Sequence, residues 1–301
     1  MTTALSSPAR PPMPWVVLKA LRPKQWIKNF VLFVPLLFAK GIFKDDLGWR
    51  SLQAVMVFCL LASGVYLAND WVDREKDRLH PEKRLRPIAA GHLSGTMAAV
   101  LVVLLWGGAG MWAWKLGATF FGVCAAYIAL QLVYTPLLKK AVILDVMAIA
   151  AGFILRIFAG ATAISVLVSN WLFLCTLLGA VFLGFAKRRH ELSSLEEGAA
   201  AHRANLDEYT LPMLDQMMSI SAACTILAYG LYTVSKETID HVGSDMLKFT
   251  VPCVVYGVFR YLYLVHKKNL GGSPEKMLLG DLPLLIDSVL FLGIAAMALY
   301  H

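Results

Sequence analysis

Residues 50–69 read RSLQAVMVFCLLASGVYLAN and residues 70–91 read DWVDREKDRLHPEKRLRPIAAG. The first stretch carries a single charge, Arg50. At about 1.5 Å of helical rise per residue, its length matches the roughly 30 Å hydrocarbon layer of a bilayer. In the second stretch half of the residues are charged. So sharp a change in polarity marks a membrane–water boundary at Asn69–Asp70. It also sets the fold class, an all-α polytopic membrane protein. Only helices and closed barrels satisfy their backbone inside lipid, and no alternating strand pattern indicates a barrel.

Outward from this boundary, nine apolar runs are long enough to cross a membrane, at about 26–43, 50–69, 96–114, 118–137, 142–163, 169–186, 212–234, 247–265 and 279–300. Hydrophobic residues make up 58% of the chain and charged residues 16%, with a mean hydropathy of +0.63. Soluble domains carry roughly 45–50% and about 25%, so the numbers exclude an ordinary soluble protein. One integral-membrane domain over 15–301 follows. The proline-rich, polar residues 1–14 before it are expected to be a disordered tail with no cleavable signal peptide. Val16 to Leu21 reads as a segment lying flat on the membrane. The five cysteines all fall in apolar runs without a CxxC pair, and read as packing residues.

The net charge of +8 would raise nucleic acid as a partner of a soluble protein. In a membrane protein it has a simpler origin, because cytoplasmic loops collect Lys and Arg. With the N-terminus inside, 21 of the 28 basic residues fall on the cytoplasmic side. Six fall outside (Lys40, Lys44, Arg50, Lys115, Lys236 and Lys248), and Arg156 alone lies deep in a span. This asymmetry predicts a multi-pass protein of the cell (inner or plasma) membrane with its N-terminus in the cytoplasm and its C-terminus outside. Two cytoplasmic loops are long and dense in charge, residues 70–91 and KRRHELSSLEEGAAAHRANLDEY at 187–209. They follow the second and sixth spans, a spacing that hints at two related halves. The second loop is expected to begin as a continuation of its helix and to hold a short helix after Gly198.

The pattern Asn69-Asp70-x-x-Asp73-x-x-x-Asp77 carries the chemistry. Positions i, i+3 and i+7 share one helix face, so three carboxylates converge at the inner mouth of the second span. Like charges this close are best tolerated with cations between them. Magnesium, which takes oxygen ligands from one or two carboxylates and from substrate phosphates, fits that need. The plainer reading is a solvated helix end whose acids pair with Arg74, Lys76 and Arg78. Downstream, Pro87 and Gly91 imply a turn that folds Arg84 and Arg86 back. Both then serve either as phosphate forks or as ordinary loop charge. Arg156, buried at depth, is costly unless it faces a polar cavity or pairs with an acid such as Asp145. Lys28, at the start of the first span, either joins that cavity or snorkels to the interface. His190 reads as a surface residue, and Glu191 is placed to orient Lys187 four residues earlier. Asp281, in the first turn of the last span, reads most simply as a helix-start acid.

NDxxDxxxD followed by RxRPxxxG resembles the first signature of the UbiA superfamily of intramembrane prenyltransferases, as do the nine-helix count and Arg22-Pro23 with Gln25-Trp26-x-Lys28-Asn29. The resemblance covers nearly the whole chain. It implies a bundle of nine helices with a central cavity open to the cytoplasm, in which the first motif binds magnesium and a diphosphate. A second motif, usually DxxxD after the sixth span, is replaced here by Ala186-Lys187-Arg188-Arg189-His190-Glu191-Leu192. RPKQWIKN at 22–29, LRPIAAG at 85–91, Leu155-Arg156-x-x-Ala159-Gly160 and AKRRHEL at 186–192 are similar to the decaprenyl-phosphate phosphoribosyltransferase branch. That resemblance implies a pentosyltransferase that moves 5-phosphoribose from phosphoribosyl diphosphate to a polyprenyl phosphate, towards an arabinose-donor lipid for the cell envelope. Asp70, Asp73 and Asp77 would hold magnesium and the diphosphate, with Asn69, Arg84 and Arg86 beside them. Lys187 and Arg188, with Glu191, would take the 5-phosphate, and Arg156 and Lys28 the acceptor phosphate or diphosphate. An oligomer is compatible with all of this. A prenyltransferase acting on a quinone or haem precursor is the alternative enzyme, and a flippase for an anionic lipid the alternative class. The DGxxAR signature of CDP-alcohol phosphotransferases is absent.

Overall fold

The structure is a computed structural model that describes residues 11–41, 46–196, 206–268 and 270–300. Among the described residues every regular element is helical. The α-helices are α1 (Met13–Leu21), α2 (Val34–Phe38), α3 (Leu47–Val72), α4 (Arg74–Leu79), α5 (Gly95–Leu116), α6 (Ala118–Tyr134), α7 (Leu144–Ala163), α8 (Asn170–Glu196), α9 (Leu211–Val234), α10 (Lys236–Val242), α11 (Val251–Lys268), α12 (Pro274–Gly280) and α13 (Leu282–Tyr300). Seven helical stretches are long and apolar enough to cross a membrane: α3, α5, α7, α8, α9, the run Met246–Lys268 that contains α11, and α13.

Capping chemistry sets several boundaries. Ser94 accepts from the Met97 amide at the start of α5, and Thr210 from the Met213 amide at the start of α9. Gly117, at φ 144°, breaks the chain between α5 and α6, a conformation that L side chains rarely adopt. α8 runs without interruption from the apolar span into the charged segment, as expected. The short helix expected after Gly198 lies outside the described residues.

Two expectations are corrected. α1 begins at Met13, so the last residues of the expected tail are ordered, while residues 1–10 lie outside the described residues. The first span is not an α-helix over 26–43. It is a 3-10 helix, Pro23–Phe33, continued by the short α2. The tighter helix is longer per residue, about 2.0 Å against 1.5 Å. Eleven such residues and five α-helical ones therefore extend about 30 Å, enough to reach across a bilayer in fewer residues than an α-helix needs.

α3 and α7 are the inner helices. Two thirds of the most apolar stretch of α3 is buried, and over half of that of α7. α7 owes its position to small residues, Ala148, Ala150, Gly152, Ala159, Gly160, Ala161 and Ala163, which let neighbours approach closely. A Cβ at Gly160 would lie 2.1 Å from the Leu32 carbonyl oxygen, so only glycine admits the 3-10 segment there. One apolar core, with Phe58, Phe120 and Tyr127, joins α3, α5 and α6. A second, with Phe182, Met218 and Tyr261, joins α8, α9 and α11. At one end of the bundle Arg50 donates to the carbonyls of Ala163 and Leu116, Lys40 to that of Val242, and Tyr300 to that of Leu37. The ion pairs at the opposite end build the candidate site.

Candidate active site

Asp70, in the last turn of α3, is buried and receives two guanidinium groups. Arg22 Nη2 donates to both carboxylate oxygens, at 2.5 and 2.7 Å, and Arg86 Nη1 to Oδ1 at 3.0 Å. The same Arg86 nitrogen donates to Asp77 Oδ2 at 2.7 Å. One cation thus bridges Asp70 and Asp77, the electrostatic remedy that their convergence on one face demands. Pro87 turns the chain so that Arg86 can reach them. Ala90, Gly91, His92 and Leu93 fold back through hydrogen bonds to Arg86, Pro87 and Ile88. Asp73 is separate from this pair. The helix breaks at Asp73, and its carboxylate approaches Lys139 Nζ at 3.8 Å. Asn69 accepts a hydrogen bond from Thr135 Oγ1 at 2.9 Å. Arg84 is exposed and makes no side-chain hydrogen bond or ion pair among the described residues.

Arg22 was not among the sequence candidates, although it stands in the quoted RPKQWIKN stretch. Its φ of 53° is left-handed and non-glycine. A residue before proline prefers extended backbone, so the conformation carries strain of the kind found at functional sites. Its side chain lies over the Tyr66 ring, 5.1 Å from the centroid, and ends on Asp70. A basic residue before the proline that opens the first span was the available signal.

Deeper in the bundle, Arg156 is buried and held on every side. Nε donates to Asn29 Oδ1 at 2.9 Å, Nη1 to the Gly152 carbonyl at 2.9 Å, and Nη2 to Tyr127 Oη at 3.1 Å. It does not pair with Asp145. Lys28 Nζ stands 3.9 Å from Glu275, on α12, and within the electrostatic reach of Arg156 and Arg22. Lys28, Arg156 and Arg22 therefore concentrate positive charge between α3, α7 and the 3-10 segment.

Lys187 is half-buried on α8. Arg188 next to it is fully buried, beside the equally buried Asp145, with Nε 3.2 Å from Asp145 Oδ2 and Nη1 on Glu191. Its charge is thereby spent on protein carboxylates. Tyr209 extends the cluster, donating to Asp145 Oδ1 at 3.0 Å and accepting from the Ile143 amide at 2.6 Å. Burial pushes the Tyr209 phenol up to about 12. Arg189 pairs with Asp215 at 2.5 Å, and Asp281 forms a forked pair with Arg260 and caps Leu284, the helix-start role expected of it. His190, expected at the surface, is half-buried. It packs on Gly271 and Gly272, with Nδ1 buried.

Residues 30–279 match the UbiA prenyltransferase family. The chain belongs to this family. It is 35% identical over 294 residues to the decaprenyl-phosphate phosphoribosyltransferase of Mycolicibacterium smegmatis, covering 94% of this chain and 92% of that one. It is 37% identical over 255 residues to nodulation protein NoeC of Azorhizobium caulinodans, covering 84% and 83%. Its fold matches that of a UbiA homolog from Archaeoglobus fulgidus bound to GPP and Mg2+, with a TM-score of 0.71 at 18% identity, over 95% of this chain and 100% of that chain.

The donor set of this UbiA-family site suits magnesium. Asp70 and Asp77 are hard oxygen ligands close enough to share one cationic nitrogen. Among the described residues no three His, Cys, Asp or Glu side chains cluster tightly enough to hold a metal unaided. The expected convergence of all three carboxylates is thus reduced to the Asp70–Asp77 pair, because the helix break at Asp73 turns the third acid toward Lys139; an ion there would need substrate phosphates to complete its ligands.

Proposed function

We propose that the protein transfers 5-phosphoribose from phosphoribosyl diphosphate to a polyprenyl phosphate, decaprenyl phosphate in its relatives, and releases diphosphate. The observation that carries the reading is the Arg22–Asp70–Arg86–Asp77 cluster, beside the positive charge of Lys28 and Arg156. It offers carboxylates for a cation and arginines for phosphate oxygens in one place. The 35% identity to a named phosphoribosyltransferase over nearly the full length of both chains supports the same choice.

In this mechanism Asp70 and Asp77, with Asp73 at the helix break beside them, would hold magnesium together with the donor diphosphate, and the ion would supply charge neutralisation at the leaving group. Arg86 and Arg22 exchange their carboxylate partners for diphosphate oxygens as the donor binds. Lys28 and Arg156 attract and orient anionic substrate. The acceptor phosphate oxygen bonds to the anomeric carbon of ribose as the bond from that carbon to diphosphate breaks. Diphosphate leaves with the electron pair. The acceptor is already an anion, so no proton has to be removed and no general base is needed. Catalysis then rests on positioning and charge compensation. Lys187, half-buried one residue from the closed Arg188–Asp145 pair, remains the α8 residue assigned to the 5-phosphate.

The chain is proposed to cross the cell membrane nine times with the site facing the cytoplasm, and its product to feed arabinose-donor synthesis for the cell envelope. Prenyl transfer to an aromatic acceptor is the second reading, favoured by the fold match to a homolog bound to GPP. The deciding assay supplies purified protein with labelled phosphoribosyl diphosphate, a polyprenyl phosphate and magnesium, alongside Asp70→Asn and Asp73→Asn. A phosphoribosylated lipid that disappears in both variants and on chelation is expected. Activity only with a prenyl diphosphate and an aromatic acceptor would replace this reading with the second.

A further inference from the structure

A cavity of about 350 Å³ lies between α3, α5 and α6, lined at one end by Lys76, Lys139 and Lys140 and at the other by Trp106 and Leu132. Its axis follows α3 from Val65 to Val72, about 10 Å at 1.5 Å per residue, and continues past the helix break to Lys76 on α4. Polarity changes along that axis from apolar to strongly basic. Leu132, on its wall and within the apolar part of α6, is 56% exposed, and inside a membrane such exposure faces lipid. At the basic end Lys139 is 3.8 Å from Asp73. Lys76 and Lys140 have no side-chain partner among the described residues. Three lysines against one carboxylate leave a net charge that calls for an anion.

Trp106 closes the apolar end. Its Nε1 donates to the Leu61 carbonyl at 3.2 Å, and it lies so close to α3 that a Cβ at Gly64 would meet that nitrogen at 2.3 Å. Asn69 and Asp73 line the same cavity. Its apolar wall thus meets lipid, and its basic end includes two residues of the motif whose other acids, Asp70 and Asp77, lie outside the cavity lining.

We infer that this groove seats the acceptor, with the phosphate of the polyprenyl phosphate on Lys76, Lys139 and Lys140 and its first isoprenoid carbons against Trp106 and Leu132. The inference rests on the proposed phosphoribosyl transfer for the identity of the acceptor. Charge complementarity selects a phosphate, and the apolar wall open to lipid selects one that carries a hydrocarbon chain. A soluble phosphate gains nothing from Trp106 and Leu132. Asp73 then stands between the two substrates, which gives a physical reason for its separation from the Asp70–Asp77 pair.

The test uses the full chain in phosphatidylcholine nanodiscs. The double variant Lys139→Gln/Lys140→Gln is expected to raise KM for polyprenyl phosphate by about tenfold or more, as lost charge-assisted contacts do, with KM for phosphoribosyl diphosphate changed less than about twofold. Leu132→Trp, which fills the groove without touching charge, is expected to act in the same direction. Equal changes in both KM values, or none, overturn the inference. Direct binding of farnesyl phosphate, measured without the sugar donor, separates this result from the fate of the proposed reaction. Binding that both variants weaken supports the groove even if no phosphoribosylated lipid is made. Binding unaffected by the variants, equal affinity for inorganic phosphate, or full displacement by phosphatidylglycerol overturns it.

Discussion

Arg188 has no exposure to solvent, and neither has the Asp145 side chain that balances it. Removing one member of a buried pair leaves the other charged and unsolvated, at a cost of about 3–5 kcal/mol. Asp145→Asn is therefore expected to lower the thermal unfolding temperature of the purified protein far more than Glu75→Gln, which touches only the exposed pairs with Arg74 and Arg78. An equal effect would mean that water reaches Arg188. Tyr209 gives the same cluster a pH signature. Its proton is held up to about 12, above the ordinary value of 10.0. Between those values the unfolded chain has lost the proton and the folded one retains it, so stability falls as pH rises through this window. Tyr209→Phe should remove that part of the alkaline loss while costing stability at neutral pH. The neutral cost follows because Ile143, a β-branched residue at φ 67°, loses the partner of its amide. At Gly160 the close approach of Leu32 makes Gly160→Ala an overpacking change, worth about 1–3 kcal/mol of destabilisation. It is read as a lower unfolding temperature with the cavity-facing residues untouched.

At the scale of elements, what could be read from sequence tracks how local its cause is. The long spans and the polarity change at Asn69–Asp70 follow from hydropathy alone, and α3, α5, α7, α8, α9, α11 and α13 appear close to where they were expected. Of the two arginines expected to fold back at Pro87 and Gly91, Arg86 reaches the acids and Arg84 stays exposed, because the local turn signals do not fix which side chain points inward. The 3-10 form of the first span was not legible, since it depends on packing against Gly160 and on Asn29 meeting Arg156 across the bundle. The same holds for Arg188. A cationic stretch at the end of α8 reads as a phosphate site, but Asp145, 43 residues earlier, takes that charge, and only the tertiary fold brings them together. Asn29 offers a direct test of such long-range dependence. It is fully buried and satisfies Arg156 Nε, so Asn29→Leu leaves a buried guanidinium nitrogen without its acceptor. Loss of stability is expected, together with weaker binding of anionic substrate, measured as a rise in KM for phosphoribosyl diphosphate.

For the whole molecule, two short segments decide how often the chain crosses the membrane. Seven helical stretches have the length and apolarity to cross. The 17-residue α6 and the composite 3-10/α segment from Pro23 to Phe38 are the others. If both cross, every loop near the ion-paired end, including 73–94 and 135–143, is cytoplasmic. The loops near Asp46 and Lys115 are then outside, which is the arrangement that the distribution of basic residues demands. If α6 did not cross, Lys115 and Lys139–Lys140 would share one side, and the charge asymmetry would break. Single cysteines introduced at Asp46, Glu82, Lys115 and Lys140 can be titrated with a membrane-impermeant maleimide on intact cells and on inverted vesicles. Asp46→Cys and Lys115→Cys are expected to label from outside, and Glu82→Cys and Lys140→Cys only from the cytoplasmic face. Labelling of Asp46→Cys from the cytoplasm would remove the 3-10 segment from the count. Labelling of Lys140→Cys from outside would remove α6, and with it the cytoplasmic placement of the lysines proposed to hold the acceptor phosphate.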